Sequence, residues 1–329
     1  METVLVTGGA GFIGSHLVER LLARGNRVIC VDNFDPFYPP EIKRDNLQSC
    51  LASERFELVQ CDIRNEGHLA KVFATHEIHS VVHLAARAGV RPSISNPALY
   101  QHVNVGGTVN LLELSRDCGI KNFVFGSSSS VYGASGRIPS RESEDSLRPV
   151  SPYAASKQAG ELFCYTFHHL YHIPVTCLRF FTVYGPRQRP DMAIYKFTRL
   201  VDLGEPVPLY GDGSSGRDYT YISDVVDGIV SALDRKLDFE IINLGYSETT
   251  ELRLLVSLIE QNLGKKADVR YVAPQPGDVP VTGADISKAQ RLLGYRPNIG
   301  IREGIEAFIR WYKGQGNLCG SLDHYPRPQ

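Results

Sequence analysis

Seven residues, Gly8-Gly9-Ala10-Gly11-Phe12-Ile13-Gly14, constrain the fold of this chain more than any other stretch. A short β-branched segment, 3–7, precedes them. After them Ile13, Leu17, Leu21 and Leu22 recur at three- and four-residue intervals, and Gly25 stands where a helix would stop. Glycines between a strand and a helix allow a tight turn. They also let a pyrophosphate approach the exposed N–H groups and positive end of the helix. Gly9, Gly11 and Gly14 fit one dinucleotide-type spacing, and Gly8, Gly11 and Gly14 fit another. A bare glycine triplet is weak evidence, but its placement here strengthens it considerably.

The rest of the first half continues the alternation. Strands are expected at 27–32, 56–60, 80–84, 122–127 and 175–180, with helical segments between them and a long helix over 152–170. That order implies right-handed crossovers and a parallel sheet covered on both faces. Beyond 182 the rhythm breaks into loops, with helices expected at 193–203, 223–233, 251–263 and 301–313. A strand at 241–244 is placed to return to the first sheet. The expected class is therefore α/β, a Rossmann-type doubly wound parallel sheet with a smaller mixed α/β substrate-binding domain. The first domain is expected to span 1–181 and to receive parts of 220–250. The second covers most of 182–313, and 314–329 reads as a loose tail.

Composition excludes several function classes. The formal charge is −1 with no long run of one sign, so bulk charge holds neither nucleic acid nor a membrane surface. Seven cysteines form an odd set without a C-x-x-C pair, which suits a reducing compartment and argues against a zinc cage or disulfide framework. No apolar run approaches the ~18 residues of a membrane span, and the amino terminus lacks a signal-peptide pattern. A soluble, cytoplasmic protein is expected.

Asp32 ends the second strand eighteen residues after Gly14. A carboxylate there can hold both hydroxyls of an adenosine ribose and would repel a 2′-phosphate, favouring NAD over NADP. Asn33 adjoins it. Asp62, followed by Ile63, is placed to reach adenine, Leu84-Ala85-Ala86 offers small residues beside the phosphates and nicotinamide, and Lys43 is a weaker candidate for the adenosine ribose. Phe12 and Ile13 belong to the phosphate turn.

Tyr153 and Lys157 are four apart at a helix start, hence on one face. A phenol near its ordinary pKa of ~10 is a poor base at neutral pH. A nearby Lys⁺ and an oxidised nicotinamide ring are expected to depress it. Upstream, Gly126-Ser127-Ser128-Ser129-Ser130 ends a strand whose carboxyl end faces the cleft, and Ser128 is expected to hold the reacting hydroxyl.

With these residues in hand, the sequence resembles the extended short-chain dehydrogenase/reductases, and within them the NAD-dependent epimerase/dehydratase family acting on sugar nucleotides. The glycine turn, Ser128, Tyr153/Lys157, Arg179-Phe180-Phe181-Thr182-Val183-Tyr184-Gly185-Pro186 and Gly216-Arg217-Asp218-Tyr219 carry the likeness, which runs over roughly 3–313. The segments Ala85-Ala86-Arg87-Ala88-Gly89-Val90-Arg91 and Gly185-Pro186-Arg187-Gln188-Arg189-Pro190-Asp191-Met192-Ala193 are most similar to UDP-glucuronate 4-epimerases.

The resemblance implies an NAD-dependent enzyme in which Ser128, Tyr153 and Lys157 are catalytic and a UDP-sugar is the substrate. Thr182 would contact diphosphate or sugar, Val207, Leu209 and Tyr210 would line a uridine pocket, and Arg217 would pair with the diphosphate. Asp278 would hold the uridine ribose, with Gln275 beside it where some relatives carry Arg. Similar enzymes that dehydrate or decarboxylate the sugar have an acidic residue where this chain has Ser130, which lacks acid–base function near neutral pH. Four-epimerisation through a 4-keto sugar is therefore expected, of UDP-glucuronate foremost. The alternatives are UDP-glucose or UDP-N-acetylhexosamine (or its uronate), then a dehydratase or a silent nucleotide-binding protein.

Ser129, Ser130 and Thr182 are expected to fix the sugar carboxylate. Arg87 and Arg189 could assist, although diphosphate or surface roles rank ahead of that contact for both. A homodimer through helices around 99–118 and 152–170 follows from the likeness.

Overall fold

The computed structural model describes residues 2–134, 137–144, 148–273 and 279–315. Its strands, in chain order, are β1 (Thr3–Thr7), β2 (Arg27–Asp32), β3 (Phe56–Gln60), β4 (Ser80–His83), β5 (Asn122–Ser128), β6 (Val175–Phe180), β7 (Thr182–Tyr184), β8 (Val207–Tyr210), β9 (Gly216–Tyr221), β10 (Phe239–Leu244), β11 (Thr249–Glu251) and β12 (Val269–Val272). Seven of them form one sheet in the order β10-β6-β5-β4-β1-β2-β3, and every neighbouring pair is parallel.

The apolar runs of these strands follow from burial on both faces. Along β1, Val4 and Val6 enter an apolar layer with Leu17, Val18, Val225 and Ile229. Leu5, between them, points to the opposite layer with Ile29, Val81, Leu111 and Phe123. A period-two strand thus supplies both sides.

From β1 the chain winds outward through β2 and β3, then returns to place β4 on the other side of β1. Carboxyl ends of parallel strands diverge at such a switch point, which leaves a crevice there. The strand expected at 241–244 joins this sheet as β10, beginning at Phe239.

The remaining strands build two small sheets, β11-β9-β7 and β12-β8. Beneath them Tyr184, Tyr195, Leu255, Phe308 and their neighbours form a third apolar cluster. The helices that close it, Ala193–Leu203, Leu252–Leu263 and Ile301–Gly314, lie within a residue of their expected bounds. Short helices at Pro40–Asn46 and Glu66–Thr75 fall between strands, where helical segments are expected, and the helix expected around 99–118 opens as a π-helical turn at Gln101–Gly106 before continuing over Gly107–Asp117. Among the described residues all six cysteines are free, and no helix is long and apolar enough to cross a membrane. The segment expected as a tail lies, from residue 316 onward, outside the described residues.

Candidate active site

The glycine turn closes on the next crossover. Gly8 sits at φ +70°, in the left-handed region, and its N–H donates to the Val31 carbonyl at 2.7 Å. A Cβ on Gly8 would lie 2.7 Å from the Ala85 nitrogen, and one on Gly14 only 2.2 Å from the Gly8 carbonyl oxygen. Neither position accepts a larger residue without moving backbone. The helix Phe12–Ala23 begins at Gly11 without a side-chain cap, so the first turn keeps N–H groups for an anion.

Asp32 is buried beside this turn. Its carboxylate accepts from Ala10 N at 3.2 Å and Phe34 N at 2.8 Å, and pairs with the Lys43 ammonium at 3.3 Å. Lys43 therefore spends its charge on Asp32. Asp62 accepts from Asn33 Nδ2 at 2.8 Å and from both Arg64 Nε and Nη2. Chiefly through Arg64, its carboxyl is held down to about 2.

Gly8, Gly11, Phe12, Ile13, Gly14, Asp32, Asn33, Lys43, Asp62, Ile63, Leu84, Ala85, Ala86, Tyr153 and Lys157 all line a single cleft. Arg87 and Arg189 line it too, so neither is a plain surface charge. Arg87 pairs with Asp35 and lies over the Phe37 ring, 4.9 Å from its centre. Arg189 pairs with Asp191 at 2.9 Å and approaches the same ring. The lining residues Asp35, Phe37 and Tyr38 escaped the sequence reading. Their available signal was an aromatic, proline-rich loop, 33–40, directly after Asp32.

Tyr153 and Lys157 line the cleft, and Ser128 follows the lining residue Ser127. Ser151 caps the Pro152–Tyr171 helix by accepting from Ala154 N, which sets Tyr153 in the first turn. Ser128, at the end of β5, accepts from Ser130 N at 3.2 Å and Ser130 Oγ at 3.0 Å. Its own proton is left for Tyr153, with which it hydrogen-bonds. Lys157 donates to the Gly126 carbonyl at 2.7 Å.

The electrostatics correct one expectation. Burial raises the Tyr153 hydroxyl above the ordinary phenol range, opposed by the Ser128 hydrogen bond and the Arg189 charge, not by Lys157. Lys157 is itself drawn down to about 8 by burial, and one of its three N–H donors is spent on the Gly126 carbonyl. The protein alone does not make the phenol acidic.

Thr182 lies on β7, half-exposed, opposite Tyr219. Ser129 and Ser130 occupy the 3-10 turn after β5. Arg217 donates to the carbonyls of Gly216 and Pro280 at 2.9 and 3.1 Å. Val207 and Leu209 turn their side chains inward. Both are buried in the third apolar cluster, while the alternate residue Tyr210 faces outward beneath the Arg91 guanidinium, 4.6 Å from the ring centre. Strand alternation sets these opposite orientations. Gln275 and Asp278 lie outside the described residues. Among the described residues no group of three or more His, Cys, Asp or Glu could hold a metal ion.

A sequence profile of the NAD dependent epimerase/dehydratase family matches residues 4–245. A UDP-glucuronate 4-epimerase of Thermodesulfobacterium geofontis is 43% identical over 98% of this chain and 99% of its own. The crystal structure of a Bacillus cereus UDP-glucuronic acid 4-epimerase with UDP-glucuronic acid and NAD superposes with a TM-score of 0.90 at 38% identity, covering 95% of this chain and 99% of that one. A UDP-glucose 4-epimerase of Thermotoga maritima, solved with UDP-glucose, gives 0.88 at 33% identity, with 95% and 99% covered.

Proposed function

The chain belongs to the NAD dependent epimerase/dehydratase family, and from that premise we propose that it interconverts UDP-glucuronate and UDP-galacturonate by inverting carbon 4. The observation that supports this reading is that Tyr153 and Lys157 line the same cleft as the glycine turn and Asp32, with Ser128 hydrogen-bonded to Tyr153.

The residues present fit NAD: the Phe12–Ala23 helix starts without a side-chain cap, and its glycine turn lines the same cleft as the buried Asp32 carboxylate. Gly8 and Gly11 to Gly14 would hold the diphosphate and Asp32 the adenosine ribose, positioned by Lys43. Asp62 and Ile63 would flank adenine, and Leu84 to Ala86 would border the nicotinamide with Lys157 on its ribose. NAD, when bound, supplies a reversible hydride acceptor and a positive ring that favours the phenolate.

Tyr153 is assigned as the group that takes the proton from the sugar 4-hydroxyl and returns one to the 4-keto oxygen after the keto sugar has turned over within the site to present the other face of carbon 4. Ser128 aligns that oxygen, because its hydroxyl accepts from Ser130 and keeps its proton to donate. The uronate adds a hazard, since a 4-keto uronate is a β-keto acid prone to lose CO₂. Ser129, Ser130 and Thr182 are assigned to the carboxylate, holding it away from the geometry of loss. Arg87 or Arg189 adds positive charge from the cleft wall. Arg217, Tyr210, Gln275 and Asp278 are assigned to the UDP moiety, with residues 182–313 forming most of that half and 1–181 with β10 the cofactor half.

The chain is proposed to work in the cytoplasm as a homodimer. Leu162, Tyr165 and Leu170 stand more than half exposed on the Pro152–Tyr171 helix, the helix assigned to the pairing face. Incubation with UDP-glucuronate, UDP-glucose and UDP-N-acetylglucosamine without added reductant, followed by NMR, tests the substrate. UDP-galacturonate is the expected main product; turnover confined to the neutral sugars would transfer the assignment to them.

A further inference from the structure

Directly below the proposed acid–base set lies a buried ion pair that the reaction as described does not use. Arg179 on β6 and Glu161 on the Pro152–Tyr171 helix are 2% and 4% exposed. Arg179 Nε and Nη2 donate to the two carboxylate oxygens at 2.9 and 2.7 Å. Glu161 Oε1 also accepts from the Ser127 hydroxyl at 2.5 Å. Glu161 is four residues after Lys157, so the two share one helix face. Successive residues of β5 hold them: the Gly126 carbonyl takes the ammonium and the Ser127 hydroxyl takes the carboxylate. Replacing a buried pair with apolar residues is often neutral or stabilising, so fold stability alone gives weak reason for two charges at this depth.

We propose that Glu161, fixed by Arg179 and Ser127, is a positioning residue that keeps Lys157 in its ammonium form beside Tyr153. This rests on the assignment of Lys157 made above. Burial strips water from the Lys157 amine and pulls it down to about 8, with the Glu161 carboxylate the chief influence opposing that fall.

The other neighbours cannot take its place. From β4, His83 faces Lys157, but it is buried, drawn down to about 3, and neutral. From β5, Phe125 presents its ring face, 5.1 Å away. From β6, Arg179 and Cys177 reach the Glu161 and Cys164 side, and Arg179 carries the wrong sign. Tyr153 is on the helix itself, with Arg189 acting on it. The Gln101–Gly106 turn brings buried Asn104 and exposed His102, and the Gly107–Asp117 helix keeps Glu113 and Asp117 exposed. Glu161 is the buried carboxylate among them.

The test follows the ε-carbon resonance of Lys157 in NAD-loaded, ¹³C-lysine-labelled protein, assigned by its loss in Lys157→Met, alongside the pH profile of turnover. Glu161→Gln strands Arg179 and risks misfolding, so the double variant Glu161→Gln/Arg179→Met, which buries no net charge, is measured with it. In the double variant the Lys157 midpoint and the alkaline limb are expected to fall together by about one pH unit. Glu161→Asp, which keeps the charge, should restore both. An unmoved Lys157 midpoint in a folded double variant overturns the inference, whatever happens to the rate. Full turnover by Lys157→Met overturns instead the assignment beneath it, so the two failures are distinguishable.

Discussion

Single residues carry the chemistry, and their roles depend on what each is buried against. Tyr153 shows this. Its phenol is raised by burial and relieved by Ser128 and Arg189, so proton transfer depends on the hydroxyl itself. Tyr153→Phe is expected to lower kcat by about 10²–10⁴-fold while UDP-glucuronate affinity, measured by calorimetry, stays close to wild type. Ser130, in the turn after β5, supplies a hydroxyl without acid–base function near neutral pH. If Ser130 and Thr182 restrain the carboxylate, exchanging both for Ala should raise the UDP-pentose share of the products by NMR; an unchanged ratio would remove them from that role. The roles of Ser130 and Thr182 come from the family resemblance, whereas Tyr153 was legible by its spacing from Lys157. Arg87 and Arg189 were not: whether an arginine faces water or a cleft is decided by Asp35, Phe37 and Asp191 around it.

Elements set the precision with which those residues meet. The strand–glycine–helix unit is fixed by steric exclusion, since a methyl at Gly14 would meet the Gly8 carbonyl. Gly14→Ala should cost about 1–3 kcal/mol in urea unfolding and weaken NAD binding in the same protein. A second junction ties that helix to the loop after β7. The His16 ring nitrogen Nε2 donates to the Pro186 carbonyl at 2.9 Å, and Arg187 reaches Glu19 at 2.7 Å.

Burial pulls His16 down to about 4. The unfolded chain therefore takes up a proton near 6.5 that the native protein refuses until about 4. Stability should fall as pH drops through that window and level off below it. His16→Gln, followed by urea midpoints against pH, should flatten the slope; an identical slope would place the acid sensitivity elsewhere. The helices at 193–203, 251–263 and 301–313 were readable because each pays no attention to its neighbours in showing an apolar stripe. The π-helical turn at Gln101–Gly106 was not, because it follows from Asn104 bonding across to the Arg87 backbone and Ser156.

At the scale of the molecule, the exposed apolar stripe of the Pro152–Tyr171 helix bears on assembly. Leu162→Arg with Leu170→Arg should convert a species of twice the chain mass into one of single mass by light scattering; a monomeric parent protein would remove the homodimer outright. What the sequence determined by itself was local and periodic: the glycine turn, the two-residue and 3.6-residue rhythms, Asp32 at a strand end and the Tyr153/Lys157 spacing. Those patterns also point to a parallel sheet, because a helix spanning back between successive strands brings each new strand in along the same direction. Tertiary structure alone decided which charges are buried. It brought Arg179 to Glu161, set Lys43 on Asp32 rather than on open water, and turned Val207 and Leu209 into the core. The physical reason is that solvation and charge pairing belong to contacts between segments far apart in the chain, and only a folded chain makes those contacts.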